Sequence, residues 1–258
     1  MLLGLILLLS LAAAAADWLH FRRARRARLR RLSLAWAAAT DALPLAVVGM
    51  GLLCRDNPTP VVMASMWLFW VWMATVLPRL AFYAFNFFGL RRTGLAAAAA
   101  VFAALVIGVT AGRTSLRVSR TEVCSPALPA TFDGLRIVQL SDIHLGTIVS
   151  PGRELTRLAD RVNALRPDLV LFTGDLVNIR ASELDSTAVR LLRRIEAPVY
   201  SVTGNHDVGK YIKDSLRHPA AESLREVIAR QRAMGWRVLD DETVYLRRGG
   251  DSIALTGL

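Results

Sequence analysis

Apolar residues follow two different patterns along the chain. Four long apolar runs lie near residues 2–19, 33–54, 60–84 and 94–112. Each is close to the roughly 20 residues that an α-helix needs to cross a bilayer. Beyond residue 135 the apolar runs are short and alternate with stretches of helical spacing. The pattern predicts a four-helix transmembrane region at 1–113, a linker at 114–134 and a separate domain at 135–258.

The later part of the chain has the pattern of an α/β domain. Short apolar runs predict buried strands at 135–141, 168–173 and 198–203. Helical spacing predicts helices at 151–166, 183–195 and 219–234. Three further short strands are predicted at 236–239, 243–246 and 252–256. Strand, helix and strand in alternation require crossover connections, so we expect the first three strands to pair in parallel.

Composition and charge divide at the same point. The chain is 53% hydrophobic, with a mean hydropathy of +0.38 and a net charge of +11. Residues 1–113 hold 12 arginines against 3 aspartates, a net charge of +9, which leaves +2 for residues 114–258. Because the second part has no large basic excess, we expect no nucleic-acid partner for it.

An arginine cluster flanks the first apolar run. Seven arginines occur in residues 22–31, after the run and not before it as in a secretory signal. Nucleic-acid binding is the alternative, but beside an apolar span we favour anchoring and contact with membrane lipids. The positive-inside rule places the arginine-rich loops 20–32 and 79–93 in the cytoplasm. The predicted protein is therefore multi-pass in the inner or plasma membrane, with residues 114–258 extracytoplasmic.

Two features complicate this membrane interpretation. Arginines 113, 117 and 120 directly follow the last span and argue for the opposite orientation. Asp41 interrupts the second run, where an interfacial position, a helix–helix hydrogen bond and an intramembrane functional site all stay open.

Residues that can bind a metal or transfer a proton follow each of the three predicted parallel strands. Asp142 and His144 follow the first strand and Asp175 follows the second. The third strand leads into Asn205, His206 and Asp207. Each motif alone is also compatible with an ordinary turn or cap. Together, at one sheet edge, they predict a ligand site, and oxygen and imidazole donors without thiolates suit Mn, Fe, Zn or Mg.

These motifs resemble a known family. Asp142-Ile-His144, Gly174-Asp175 and Gly204-Asn-His-Asp207 resemble the first three motifs of the calcineurin-like metallophosphoesterases. The amino-terminal part is similar to that of membrane-tethered bacterial members. The resemblance implies part of an α/β/β/α sandwich and a hydrolase with two divalent metal ions.

The resemblance also implies individual roles. Asp142 and His144 would bind the first metal, Asp175 would bridge both, and Asn205 would bind the second. His206 would stabilise the transition state or protonate the leaving oxygen, with Asp207 orienting it. The predicted function is a membrane-anchored phosphoric ester hydrolase, in which two metals activate a hydroxide against a phosphoester, and the membrane tether favours a lipid-linked or envelope substrate.

One departure from the family pattern keeps alternatives open. The family adds later histidine ligands, the last in a Gly-His-x-His motif, but no such motif follows Asp207. We therefore expect a chain truncated before the last metal-binding motifs. The first alternative is a non-catalytic membrane protein whose incomplete metal site serves as a binding or interaction module. The second is a transporter-like or scaffolding membrane protein, and the only feature that supports it is Asp41, as a polar residue within a predicted span.

Overall fold

The computed structural model describes residues 2–22, 27–54 and 56–258, and its contacts divide the chain into two units. The first unit comprises Met1–Arg55 with Pro60–Ser115, and the second comprises Asp56–Thr59 with Leu116–Leu258. The short segment Asp56–Thr59 thus belongs to the unit that contains the sheet, although it precedes that unit's other residues in sequence by more than 50 positions.

The first unit is built from apolar helices. They are α1 Leu2–Phe21, α2 Ala27–Asp41, α3 Leu43–Leu53, α4 Thr59–Asn86 and α5 Arg91–Ile107, followed by a π-helical turn over Gly108–Gly112. In the described part of the chain, four stretches are long and apolar enough to cross a membrane, at 4–21, 30–53, 59–86 and 91–112. The prediction of four membrane-length apolar stretches that precede an α/β domain is confirmed.

The second predicted span consists of two helices instead of one. Helix α2 ends at Asp41, and α3 begins two residues later with Pro44 in its first turn. Proline has no backbone N–H and disfavours a helical conformation in the residue before it, so it fits the start of a helix better than its middle. The sequence break at Pro44 is therefore a junction between two helices.

The predicted loop over 79–93 is wrong at its start, because α4 continues past Arg79. The Arg79 guanidinium donates to Asp17 at 2.6 Å and also to Asp41, while the Tyr83 hydroxyl donates to Asp17. Asp17 is buried. Because a buried charge is costly unless it is paired, these contacts explain how an arginine is accommodated within an apolar helix. The contact between Arg79 and Asp41 joins α4 to α2 and is the helix–helix hydrogen bond that was one of the alternatives for Asp41.

The second unit contains a four-stranded parallel sheet and a separate two-stranded ribbon. The sheet has the order β1 Ile137–Leu140, β2 Leu169–Phe172, β3 Val199–Ser201 and β4 Arg237–Val238. The antiparallel ribbon pairs β5 Thr243–Arg248 with β6 Asp251–Thr256. The parallel α/β architecture predicted from the alternation of strands and helices is confirmed.

Three crossover helices connect the strands. They are α6 Pro151–Ala164, α7 Ser186–Leu192 and α8 Ala220–Ala233. Helix α7 begins three residues later than predicted, because the Asp185 carboxylate caps it by accepting from the Ala188 N–H at 2.8 Å.

The core lies between these helices and the sheet. Helix α6 buries Leu155, Ala159 and Val162 on one face, while β2 contributes Val170 and Phe172. Each large apolar side chain buried in this way stabilises the fold by about 1.5–3 kcal/mol. The buried central strand therefore gives a rigid base to the loop that follows it.

Candidate metal centre

The parallel register aligns three strand ends. Leu140 at the end of β1 pairs with Phe172 at the end of β2, and Phe172 pairs with Ser201 at the end of β3. The carboxyl ends of parallel strands share one edge of the sheet, which is the usual place for ligand sites in α/β folds. All six site residues predicted from the sequence lie in the loops that leave these ends.

The backbone is strained where the predicted ligands lie. Asp142, His144 and Asp175 have φ values of 56°, 45° and 60°, in the left-handed region. Such conformations cost of the order of 1–3 kcal/mol each and persist only where surrounding contacts impose them. Here the Asp142 N–H donates to the Gly174 carbonyl and the His144 N–H to the Asp175 carbonyl, both at 3.0 Å. The two loops thus hold each other in a conformation typical of functional sites.

Two glycines allow the loops after β2 and β3 to approach closely. Gly174 has φ +97°, and a Cβ added to it would lie 2.5 Å from the Gly204 nitrogen. A Cβ on Gly204 would collide with the Asp175 carboxylate. Both motif glycines are therefore required by the short distance between the loops, and not only by turn geometry.

Metal-ligating atoms converge in this space. One ligand atom from each of His144, Asp175 and His206 lies within 4.8 Å of the others. The His144 Nε2 is 3.5 Å from an Asp142 oxygen and 3.9 Å from an Asp175 oxygen. Within the described ranges, the buried His144 Nδ1 has no hydrogen-bond partner. Two imidazoles and two carboxylates at these distances are a donor set that fits a divalent cation.

His206 is held by the loop after β2. Its Nδ1 lies 2.6 Å from the Asn178 carbonyl oxygen, and its backbone N–H donates to the Asp175 carboxylate at 2.9 Å. A carbonyl oxygen can only accept, so Nδ1 carries the proton in this contact. The His206 ring contacts the His144 ring edge-on, with 4.5 Å between the ring centroids.

The Asp207 carboxylate accepts hydrogen bonds from backbone N–H groups of the loops after β2 and β3. It is fully buried, and its two oxygens accept from the backbone N–H groups of Asp175 at 2.8 Å, Gly204 at 2.9 Å and Val177 at 3.0 Å. Burial raises the pKa of Asp207 above its ordinary value, against the lowering effect of the three donors. The carboxylate thus ties together the loops after β2 and β3, while the Asn178 carbonyl contacts the His206 ring.

Asn205 lies beside His206 in the loop after β3. Its Nδ2 donates to the Tyr211 hydroxyl at 3.0 Å, and an amide whose nitrogen is engaged in this way keeps its oxygen for another partner. The exposed Asp142 carboxylate contacts the Ser141 hydroxyl in addition to His144.

Sequence reasoning missed Glu183, which holds two of the site loops through their backbone N–H groups. Its carboxylate accepts from the backbone N–H groups of Gly146 at 3.1 Å, Asn178 at 2.5 Å and Ile179 at 3.1 Å. Burial raises the pKa of this carboxyl group despite these donors. Glu183 thereby fixes the loop that supplies the Asn178 carbonyl to His206. Its partners include the Gly146 N–H, 37 positions away, and the Thr59 hydroxyl, 124 positions away, so no local spacing could have indicated the role.

Comparison with known proteins agrees with this geometry. Residues 135–256 match the family model for calcineurin-like phosphoesterases. This region is a calcineurin-like phosphoesterase domain. The match covers the sheet, the three site loops and the β5–β6 ribbon, so the family predicted from the motifs is confirmed.

Several relatives are named for a metallophosphoesterase domain, and some of these are also named as transmembrane proteins. A "transmembrane protein with metallophosphoesterase domain" from Danio rerio is 39% identical over 103 residues, which is 40% of this chain and 23% of the relative. The "UDP-2,3-diacylglucosamine pyrophosphatase LpxG" of Chlamydia muridarum is 31% identical over 117 residues, 45% of this chain and 35% of the relative. The "uncharacterized metallophosphoesterase YkuE" of Bacillus subtilis is 37% identical over 90 residues, 34% of this chain and 31% of the relative.

In these pairwise comparisons, this chain therefore covers about a quarter to a third of the length of each relative. No solved structure is significantly similar to this chain. Together, the four candidate spans and the region that matches the calcineurin-like phosphoesterases support a membrane protein with a metallophosphoesterase domain.

Proposed function

We propose that this protein is a membrane-anchored, metal-dependent phosphoesterase whose active site is the edge formed by the loops after β1, β2 and β3. The observation that carries the proposal is the convergence of His144, Asp175 and His206 within 4.8 Å, inside a domain that matches the calcineurin-like phosphoesterases. Residues 1–113 would form the anchor, 114–134 the linker and 135–258 the catalytic domain.

The chain's own residues define the chemistry of this site. Asp142, His144, Asp175 and Asn205 would hold two divalent metal ions. When bound, such ions supply an activated water and positive charge for the phosphoryl oxygens. Asp207 and Glu183 keep the ligand loops in place through the backbone bonds described above.

His206 would transfer a proton in this reaction. With Nδ1–H directed to the Asn178 carbonyl, the ring keeps Nε2 for the substrate side. A protonated Nε2 would donate to the leaving oxygen as the phosphoester bond breaks, and the carbonyl would stabilise the imidazolium before the transfer. In the overall hydrolysis a water oxygen would bond to phosphorus and release one proton to solvent, while the leaving group would take the His206 proton and depart as an alcohol or phosphate.

The membrane region narrows the substrate class. Four candidate spans tether the domain, and the LpxG relative of Chlamydia muridarum is named as a pyrophosphatase of UDP-2,3-diacylglucosamine. We infer a multi-pass protein whose substrate is a phosphoester or pyrophosphate presented by membrane lipids. The arginine distribution favours an extracytoplasmic catalytic domain.

The test uses the purified full chain in detergent with added Mn²⁺ and a chromogenic phosphodiester and monoester. We expect metal-dependent hydrolysis that Asp175→Asn abolishes. Asp168→Asn is the matched control, because Asp168 is an exposed carboxylate at the opposite end of the same strand. Lack of hydrolysis by the wild type, with Asp175→Asn indistinguishable from it, would refute the proposal. Stoichiometric metal binding without turnover would instead favour the non-catalytic binding module.

A further inference from the structure

Tyr211 contacts two residues of the proposed site at once. Its ring lies against the His206 imidazole, with centroids 4.2 Å apart and an interplanar angle of 31°. Its hydroxyl accepts a hydrogen bond from Asn205 Nδ2 at 3.0 Å. Neither the family motifs nor the spacing of the sequence had indicated a role for this tyrosine.

The bond to Asn205 decides which end of the amide is available to a cation. An asparagine side chain carries one oxygen that can bind a metal and one nitrogen that cannot. Because the Tyr211 hydroxyl engages Nδ2, the oxygen stays directed elsewhere. Without the hydroxyl, the amide could rotate and present either end. Partners that orient a metal ligand in this way typically change metal affinity about 10–100-fold when they are removed.

Tyr211 is itself fixed by Asn57, a buried residue of the Asp56–Thr59 segment. Asn57 Nδ2 donates to the Tyr211 carbonyl at 2.8 Å, and Asn57 Oδ1 accepts from the Lys213 N–H at 3.0 Å. One side chain therefore satisfies two backbone groups of the loop that carries the tyrosine. Such paired bonds define the position of a loop that has no regular secondary structure.

The Asp56–Thr59 segment is anchored by an ion pair. The Asp56 carboxylate lies 2.5 Å from Arg180, whose side chain is only 10% exposed. The hydrogen bond from Arg180 lowers the pKa of Asp56 against the raising effect of burial, so the carboxylate stays charged at neutral pH.

We propose that Tyr211 is a positioning residue for Asn205 and His206, and that Asn57 positions Tyr211. The inference rests on the proposed function, because it gives Asn205 the role of a metal ligand. It adds a series of contacts, a contact chain, that runs from Asn57 through the Tyr211 backbone to the Asn205 amide. The Asp56–Thr59 segment, which precedes the phosphoesterase domain in sequence, thereby helps to hold the site residues in position.

The first test is Tyr211→Phe in the full chain, which removes the hydroxyl and keeps the ring against His206. We expect Mn²⁺ binding, measured by titration calorimetry, to weaken about 10-fold. Hydrolysis at saturating Mn²⁺ should stay close to the wild-type kcat, because excess metal restores the loaded site. The control is Tyr245→Phe, since Tyr245 is 66% exposed on the ribbon. Unchanged Mn²⁺ affinity in Tyr211→Phe, or a loss that excess metal does not restore, would overturn the proposal.

The second test is Asn57→Asp, which keeps the acceptor for the Lys213 N–H and replaces the donor to the Tyr211 carbonyl with a repelling oxygen. We expect weaker Mn²⁺ binding here too, and a double variant with Tyr211→Phe that loses less than the product of the two single effects. Fully multiplicative effects would mean that the two residues act separately, and would overturn the contact chain.

Failure of this inference is distinguishable from failure of the proposed function. If the wild type binds Mn²⁺ and hydrolyses the substrate while Tyr211→Phe binds Mn²⁺ equally well, only the positioning role is wrong. If the wild type binds no metal, the proposed function itself fails, and the positioning role with it.

Discussion

Replacement of Asp207 by asparagine separates two possible roles of this residue. The family resemblance gives Asp207 the task of orienting His206. The structure instead shows its oxygens accepting from the backbone N–H groups of Asp175, Gly204 and Val177. Asparagine has nearly the same shape and only one accepting oxygen, so the substitution tests the backbone bonds with little steric change.

The magnitude follows from the number of acceptors. If the amide oxygen takes the place of Oδ2, it keeps the bonds from Asp175 and Gly204, and the Val177 N–H then faces an amide N–H. A buried donor without an acceptor costs about 1–3 kcal/mol. Burial raises the pKa of the Asp207 carboxyl group, which means that its charged form is costly in this position. Replacing the carboxylate by a neutral amide removes that cost and offsets part of the loss. We expect a net loss of about 2 kcal/mol, which corresponds to a roughly 30-fold larger opening equilibrium.

Hydrogen exchange of the backbone amides measures this loss directly. In the full chain, amides of residues 173–178 should exchange roughly 30-fold faster in Asp207→Asn than in the wild type. Asp168→Asn is the control, because its carboxylate accepts the Arg136 N–H on the exposed surface, where the loss should stay below about 0.5 kcal/mol. Unchanged exchange together with a large fall in kcat would refute the backbone role and restore the orienting role.

Three further predictions concern other buried groups. Glu183→Gln leaves one oxygen for three backbone donors and should destabilise the second unit by about 1–3 kcal/mol in urea unfolding. Because burial raises the Glu183 pKa above 4.5, the folded state holds this proton more tightly than the unfolded state. Stability should therefore fall as the pH rises through the raised pKa, and the glutamine variant should lack that fall. Arg79→Met removes the cationic partner of Asp17 and Asp41 and should cost about 3–5 kcal/mol in thermal unfolding of the helices; an unchanged Tm would contradict a buried ion pair. Leu192→Ala empties a fully buried position and should cost about 2–5 kcal/mol, while a loss below 1 kcal/mol would mean that the core collapses around it.

The sequence was sufficient for the parts of the fold that depend on local pattern. Strands β1, β2 and β3 follow from short apolar runs, and α6 follows from helical spacing that ends before Pro167. The alternation of strands and helices then implied a parallel sheet, and the sheet implied one edge for the site residues. Each of these steps needs only neighbouring residues and the geometry of parallel pairing.

Contacts between distant residues could not be predicted in this way. The sequence predicts Arg79 in the loop 79–93, whereas in the structure it lies in α4, and its partners Asp17 and Asp41 are 62 and 38 positions away. The contacts of Tyr211 with Asn57, across 154 positions, depend on how separate segments pack. The partners of Asp207 were missed for another reason, because a motif identifies a residue without showing which atoms surround it.

The most direct test of the central claim is metal content per chain, measured by elemental analysis on the full-length wild type and on Asp175→Ala after loading with Mn²⁺ and removal of free metal. The account predicts stoichiometric metal in the wild type and its loss in the variant, because Asp175 offers a ligand atom within 4.8 Å of those of His144 and His206. Wild-type protein without metal, or equal metal content in Asp175→Ala, would contradict a metal centre at the end of the parallel strands.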